Sequence, residues 1–185
     1  MKFAEIRFKA VDGGEYSLND LSEGKKGLVI VFTSIQCPYA LSYFEKLEHI
    51  ANLGKYSELG FALVNSNATI EEDVEDLDAM KKAFSTLSIP FIRDEDKVLA
   101  NHFQATFTPE CLLLDKQFSI LYRGPIDNRF KSPEEWAEEK EGFWPWDDNP
   151  PDEPEVTFIE QVLDAFIAST PIPFAARPAI GCTIK

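Results

Sequence analysis

Cysteine is scarce in this chain. The 185 residues hold only Cys37, Cys111 and Cys182, odd in number and widely spaced, which excludes a disulfide framework. Histidine is scarcer still. His49 and His102 stand alone, with no cysteine or carboxylate at ligand spacing, so no metal site is expected. No segment approaches the roughly 18 consecutive apolar residues of a membrane span, and the start, "MKFAEIRFKAVDGGEYS", has no apolar stretch of signal-peptide length. A cytoplasmic chain with resting thiols is therefore expected. Basic residues are outnumbered, leaving a formal charge of −14. Such a field argues against nucleic acid or an anionic membrane as partner. No phosphate-binding glycine motif is present, so no nucleotide cofactor is expected, and Ser34 has no evident histidine base for hydrolase chemistry.

The acidity is concentrated. From Ser132 to Glu155 ten side chains are Asp or Glu and only Lys140 is basic. The same stretch holds Trp136, Trp144, Trp146 and four prolines beyond Pro133. A segment of this length exceeds most loops in compact domains. Its plainer reading is a surface cover; the sharper one is a docking loop for a protein partner, because aromatic side chains are enriched at binding surfaces. Elsewhere the apolar fraction of 44% suits a globular core, and one domain over residues 1–185 is the simplest arrangement, with an insert at about 129–155 and an extended tail at about 170–185.

Hydrophobic spacing gives the order of elements. "KFAEIRF" alternates as a short strand, and Asp12-Gly13-Gly14 turns it towards a partner near Glu15 to Ser17. "GLVIVFT", Gly27 to Thr33, and "GFALVNS", Gly60 to Ser66, are continuous apolar runs, the pattern of strands covered on both faces. After Pro38, Leu41, Phe44, Leu47, Ile50 and Ala51 recur at helical spacing, predicting a helix that ends by Gly54. Thr69 to Glu72 reads as a capping box opening a helix that carries Met80, Ala83, Phe84 and Leu87. "PFIRD" suggests an edge segment and Lys97 to Phe103 a short helix. "CLLLD" and "SILYRG" flank a tight turn and should be antiparallel neighbours. A last amphipathic helix runs from about Val156 to Ser169. This strand, helix, strand, helix, hairpin, helix order is a mixed-sheet α/β plan.

That order, with the motifs "VIVFTSIQCPYALSYFEKL", "ATFTPECLLLDKQFSILYRGPIDN" and "GCTIK", resembles the thioredoxin-like redoxins of the alkyl hydroperoxide reductase/thiol-specific antioxidant type. The tail resembles the Gly-Cys ending of one bacterial branch. The resemblance implies a thioredoxin fold: a central mixed β-sheet flanked by helices, with an N-terminal β-hairpin and the acidic Trp/Pro-rich insert before the last helix. It also implies that Pro109 is cis and that Thr108 and Pro109 shape a redox site. In that branch a Cys-x-x-Cys occupies the turn; here its first position is Ser34 and its second Cys37. A serine cannot complete a dithiol cycle, so ordinary thioredoxin activity through that motif is excluded. Ser34-Ile-Gln-Cys37 also fits the Ser/Thr-x-x-Cys of peroxiredoxins, with Ser34 orienting the thiol. Ile30 stands where those proteins generally carry proline, and no arginine lies near Cys111; Arg93 and Arg123 are the remaining candidates for the cation.

If Pro38 is the first helical residue, Cys37 is the N-cap and faces unpaired N–H groups. Cys111 alternates with apolar neighbours and reads as core. Cys182, expected on a mobile tail, has the reach to resolve an oxidised Cys37. Two functions stay open. One is a thiol oxidoreductase using Cys37 on a peroxide or disulfide substrate, with a thiol reductant protein. It needs Cys37 accessible, with a basic group or Cys182 in reach. The other is a redox-inactive binding module, which needs Cys37 buried behind Ser34.

Overall fold

The computed structural model describes residues 2–67, 75–84, 87–130 and 156–185. Its centre is a five-stranded sheet of β3 (Gly27–Thr33), β4 (Leu59–Asn65), β5 (Phe91–Arg93), β7 (Glu110–Leu114) and β8 (Ile120–Gly124), in the order β5-β4-β3-β7-β8. The pairs β3/β4 and β4/β5 are parallel, whereas β3/β7 and β7/β8 are antiparallel. This is the mixed sheet of the thioredoxin fold. Every residue of β3 is buried, as its uninterrupted apolar run requires.

Alternation along β3 divides the core in two. Val29 and Val31 face a cluster with Leu47 and Ile50 of α3 (Phe44–Asn52), Met80 of α4 (Leu77–Phe84), and Phe158, Ile159, Val162 and Leu163 of α6 (Phe158–Ile167). Leu28, Ile30 and Phe32 face Leu18 and Leu21 of α1 (Leu18–Ser22), and Leu99, Ala100 and Phe103 of α5 (Val98–Phe103). Each fully buried Leu, Ile or Val contributes about 1.5–3 kcal/mol through lost water contact, so the four buried positions of α6 are enough to fix it against the sheet. Among the described residues no helix is long and apolar enough to cross a membrane.

Several local expectations change. The first segment is not one strand. A 3-10 turn at Phe3–Glu5 precedes a two-residue β1 (Phe8–Lys9), which pairs antiparallel with β2 (Glu15–Tyr16). Phe3 leaves the strand pattern to stack on the ring of His102. Helix α1 was hidden behind that hairpin. Its signal is a capping box in which Ser17 Oγ accepts from Asp20 N and Asp20 accepts from Ser17 N.

The single helix expected after Pro38 is two helices, α2 (Pro38–Leu41) and α3, because the chain turns at Ser42 and Tyr43. Ser42 Oγ donates to Tyr39 O at 2.8 Å, a local side-chain bond that competes with the helix. Leu41, expected on the apolar stripe, is exposed. Leu87 lies beyond the end of α4. The capping box at Thr69 and the tryptophans of the insert lie outside the described residues.

The tail departs furthest from expectation. Instead of hanging free, Cys182–Thr183 forms β9 and pairs antiparallel with β6 (Phe107–Thr108). Ile184 N also donates to Thr106 O at 2.9 Å, and Arg177 N to Arg123 O at 2.8 Å.

Candidate functional site

The carboxyl end of β3 delivers the turn Ser34-Ile35-Gln36-Cys37 to the same end of the sheet as the loop before β7. Cys37 is the N-cap of α2 with Pro38 as the first helical residue, as the fixed φ of proline favours. Its sulfur makes no capping hydrogen bond; the thiol instead donates to Thr108 O at 3.0 Å. Cys37 is 1% exposed. The Thr108–Pro109 peptide is cis, as expected, and Thr108 is itself buried.

The tail lies beside Cys37. Cys182 lies opposite Thr108 in the β6/β9 pair, and Thr108 Oγ donates to Cys182 O at 3.3 Å. The Cys182 thiol is close enough to Cys37 to be raised by it, and both cysteines are free thiols. Burial pushes the Cys182 thiol up to about 12, helped by Cys37 and the Glu75 charge and opposed by Lys185. Cys182 is therefore protonated at neutral pH. The Tyr39 hydroxyl is raised by burial and then by the charges of Cys182 and Cys37.

Ser34 faces a buried acid. Its hydroxyl donates to Glu75 Oε1 at 2.6 Å and accepts from Gln36 N at 3.1 Å. Glu75 is a buried carboxylate that also accepts from Ile35 N (3.2 Å), Asn65 Nδ2 (2.6 Å) and Asn67 Nδ2 (3.4 Å). Asn67 Oδ1 in turn accepts from Lys185 N at 2.9 Å. Sequence reasoning did not single out Glu75 because it sits in a run of acidic residues that reads as a solvated helix face. The usable signal lay elsewhere: Asn65 and Asn67 end a buried strand, and buried amides must find partners.

The remaining candidates separate cleanly. Cys111 is fully buried in β7, and its thiol is pushed well above the ordinary range by burial and the Glu110 charge. Arg123 pairs with Glu110 at 3.3 Å and donates to the carbonyls of Phe103 and Gln104, while Arg93 pairs with Glu95 at 3.1 Å. Among the described residues no group of three His, Cys, Asp or Glu side chains is arranged to hold a metal ion.

The site thus gathers the Cys37 turn, the cis Thr108–Pro109 peptide and the Cys182 strand, segments far apart in sequence. Solved structures with this arrangement of the chain include an uncharacterized conserved protein from Geobacillus kaustophilus, with a TM-score of 0.77 and 26% identity over 100% of this chain and 90% of that one. A hypothetical protein from Sinorhizobium meliloti 1021 matches with a TM-score of 0.76 and 22% identity over 100% of this chain and 92% of that one. A secreted Mycobacterium tuberculosis disulfide oxidoreductase shares the fold at a TM-score of 0.51 and 18% identity, over 63% of this chain and 81% of its own. No curated protein matches the chain. The Redoxin family model matches residues 1–136, most of the chain, and the chain belongs to the Redoxin family, with a function of the thiol-oxidoreductase type.

Proposed function

We propose that this protein is a thiol–disulfide oxidoreductase whose redox couple is Cys37 with Cys182, the tail cysteine replacing the partner that Ser34 cannot be. The observation that carries this reading is that Thr108 joins both cysteines: its carbonyl accepts from the Cys37 thiol and its backbone pairs with Cys182 in β6/β9. In the reducing direction Cys37, as thiolate, attacks a substrate disulfide and expels one substrate thiolate, forming a mixed disulfide. Cys182 then attacks Cys37 Sγ, and the second substrate thiolate leaves and takes up the proton of Cys182. Two protein thiols become one disulfide as one substrate disulfide becomes two thiols. A thiol reductant protein reverses the change in the chain.

Peroxide reduction at Cys37 has less support. It needs an open thiol and a nearby cation, whereas Cys37 is 1% exposed and Arg123 is engaged with Glu110. The same burial favours the second reading, a binding module in which the thiols are inert. That reading expects Cys37 buried behind Ser34, and both residues are buried.

The test is equilibration of the reduced protein with glutathione buffers of stepped ratio, followed by acid quenching, alkylation and peptide mapping. A Cys37–Cys182 disulfide in the folded protein, lost in Cys37→Ser and Cys182→Ser, supports the oxidoreductase. Sulfenate confined to Cys37 under substoichiometric hydrogen peroxide, with no such disulfide, replaces it with the peroxidatic reading. Thiols that resist both reagents leave the binding module.

A further inference from the structure

Strand β6 is two residues long, and among the described residues β9 is the only strand it pairs with. The bonds that hold the tail there engage its main chain. Ile184 N donates to Thr106 O at 2.9 Å, Thr108 Oγ to Cys182 O at 3.3 Å, and Lys185 N to Asn67 Oδ1 at 2.9 Å. Main-chain bonds give an added strand affinity whatever its sequence, and its side chains give selectivity. Two positions supply that selectivity. Gly181 passes Thr108 so closely that a Cβ would overlap the carbonyl oxygen. Ile184 is half-buried against the apolar cluster that holds Leu99 and Phe103, whereas Thr183 is exposed. Cys182 and Ile184, two residues apart, therefore share the inner face of β9.

We propose that the Thr106–Thr108 edge is a strand-addition site selective for Gly-Cys-x-aliphatic. Its ligand in trans is an extended, cysteine-bearing segment of a partner protein, and the tail is its resident competitor. On the oxidoreductase reading above, on which this rests, the cysteine of that segment arrives in a disulfide. Thr108 ties the edge to the chemistry, because the residue whose carbonyl accepts from the Cys37 thiol is the one that faces Cys182 across the pair. A segment in the register of β9 sets its cysteine where Cys182 stands. The selective contacts span four residues, Gly181–Ile184, so a polypeptide fills the site and a small-molecule disulfide does not. The tail is also the kind of occupant that exchanges. Between Gly181 and Lys185 only Ile184 offers a large apolar side chain, and local opening costs least where apolar contacts are few.

The test titrates a fluorescent peptide of residues 179–185 carrying Cys182→Ser against the reduced, full-length chain and follows anisotropy. In the wild type the tethered tail competes at an effective concentration of about millimolar, so binding should be weak. Gly181→Ala and, independently, Ile184→Asp loosen the tail in the protein, and each should tighten peptide binding by about tenfold or more. Placed in the peptide instead, the same two substitutions should each weaken its binding to those variants by about tenfold.

A peptide bound by neither protein variant overturns the proposal, as does a peptide carrying Gly181→Ala that binds as tightly as its parent. Wild-type protein that binds as tightly as the variants shows that the tail does not compete and overturns its resident role. A variant that dimerises on size exclusion and rejects the peptide makes the occupant a second copy, which overturns the partner assignment. The peptide has no thiol, so its binding needs no redox chemistry. A chain that binds it but never joins Cys37 to Cys182 keeps the site and loses the oxidoreductase reading. A chain that forms the disulfide but binds no peptide keeps that reading and loses the site.

Discussion

Gly181 packs its α-carbon against the Thr108 carbonyl so closely that a methyl group there would overlap the oxygen and press on Pro109 Cδ at 3.1 Å. The obstacle is backbone, which cannot rotate aside. The tail can lie beside Cys37 only because residue 181 has no side chain. Gly181→Ala should therefore lift β9 from β6 while leaving the five-stranded sheet intact. Expected are alkylation of Cys37 at least tenfold faster than in the wild type, and little change in the thermal midpoint. Cys37 labelling as slow as in the parent protein would mean that the tail is not its cover.

Cys111 is the internal control for thiol reactivity. It is fully buried in the central sheet, and burial holds its thiol protonated. It should resist alkylation until the protein unfolds, and then react with the kinetics of global unfolding. Cys111→Ser buries a hydroxyl among apolar neighbours and should cost about 1–3 kcal/mol in urea unfolding. Glutathione equilibria of the Cys37–Cys182 pair should be unchanged by it.

The sheet was legible because its signals are local. The runs at Gly27–Thr33 and Gly60–Ser66 read as strands covered on both faces and "CLLLD" as a hairpin strand, and they lie in β3, β4 and β7 to within a residue. The turn with Cys37 as N-cap followed from the fixed geometry of Pro38. What escaped was set by contacts distant in sequence. Ser34 pairs with a residue 41 positions on, and Lys185 with one 118 positions back. Nothing in "EEDVEDLD" marks Glu75 as an acid that turns inward. The docking of the tail was likewise invisible, because a two-residue strand carries no periodicity. It depends instead on the space left by Gly181.

Stability should fall on the alkaline side. Tyr43, Tyr56, Tyr122 and Cys111 are all raised, chiefly by burial, above their ordinary values of 10.0 for tyrosine and 9.0 for cysteine. For an acid raised in the folded state, the unfolded chain loses its proton first. The contribution is therefore complete below the unfolded value and is lost as pH climbs towards the folded one. The urea midpoint should be flat up to about pH 8.5 and decline above it. Tyr122→Phe removes one of the four groups, so its decline should be shallower, although the lost hydrogen bond to Pro125 O lowers the whole curve. A midpoint constant to about pH 10.5 would contradict the burial of these groups.

Asp127 carries the bend between α2 and α3. Its side chain is fully buried, and it accepts from Tyr43 Oη, from Lys46 Nζ at 2.7 Å and from Arg129 N at 2.9 Å. Removing the partner of a buried charge leaves the charge uncompensated, which costs about 3–5 kcal/mol when nothing else is near. Here Arg129 stands at 3.9 Å and takes up part of the loss. Lys46→Met should therefore destabilise the chain by about 2–3 kcal/mol in urea unfolding. Asp127→Asn keeps the size and an acceptor for Tyr43 while removing the charge that needs Lys46. Combined with Lys46→Met it should recover much of the loss, so that the double variant is more stable than Lys46→Met alone. Strictly additive losses would show that the two side chains do not interact and that packing around Tyr43 alone fixes the bend.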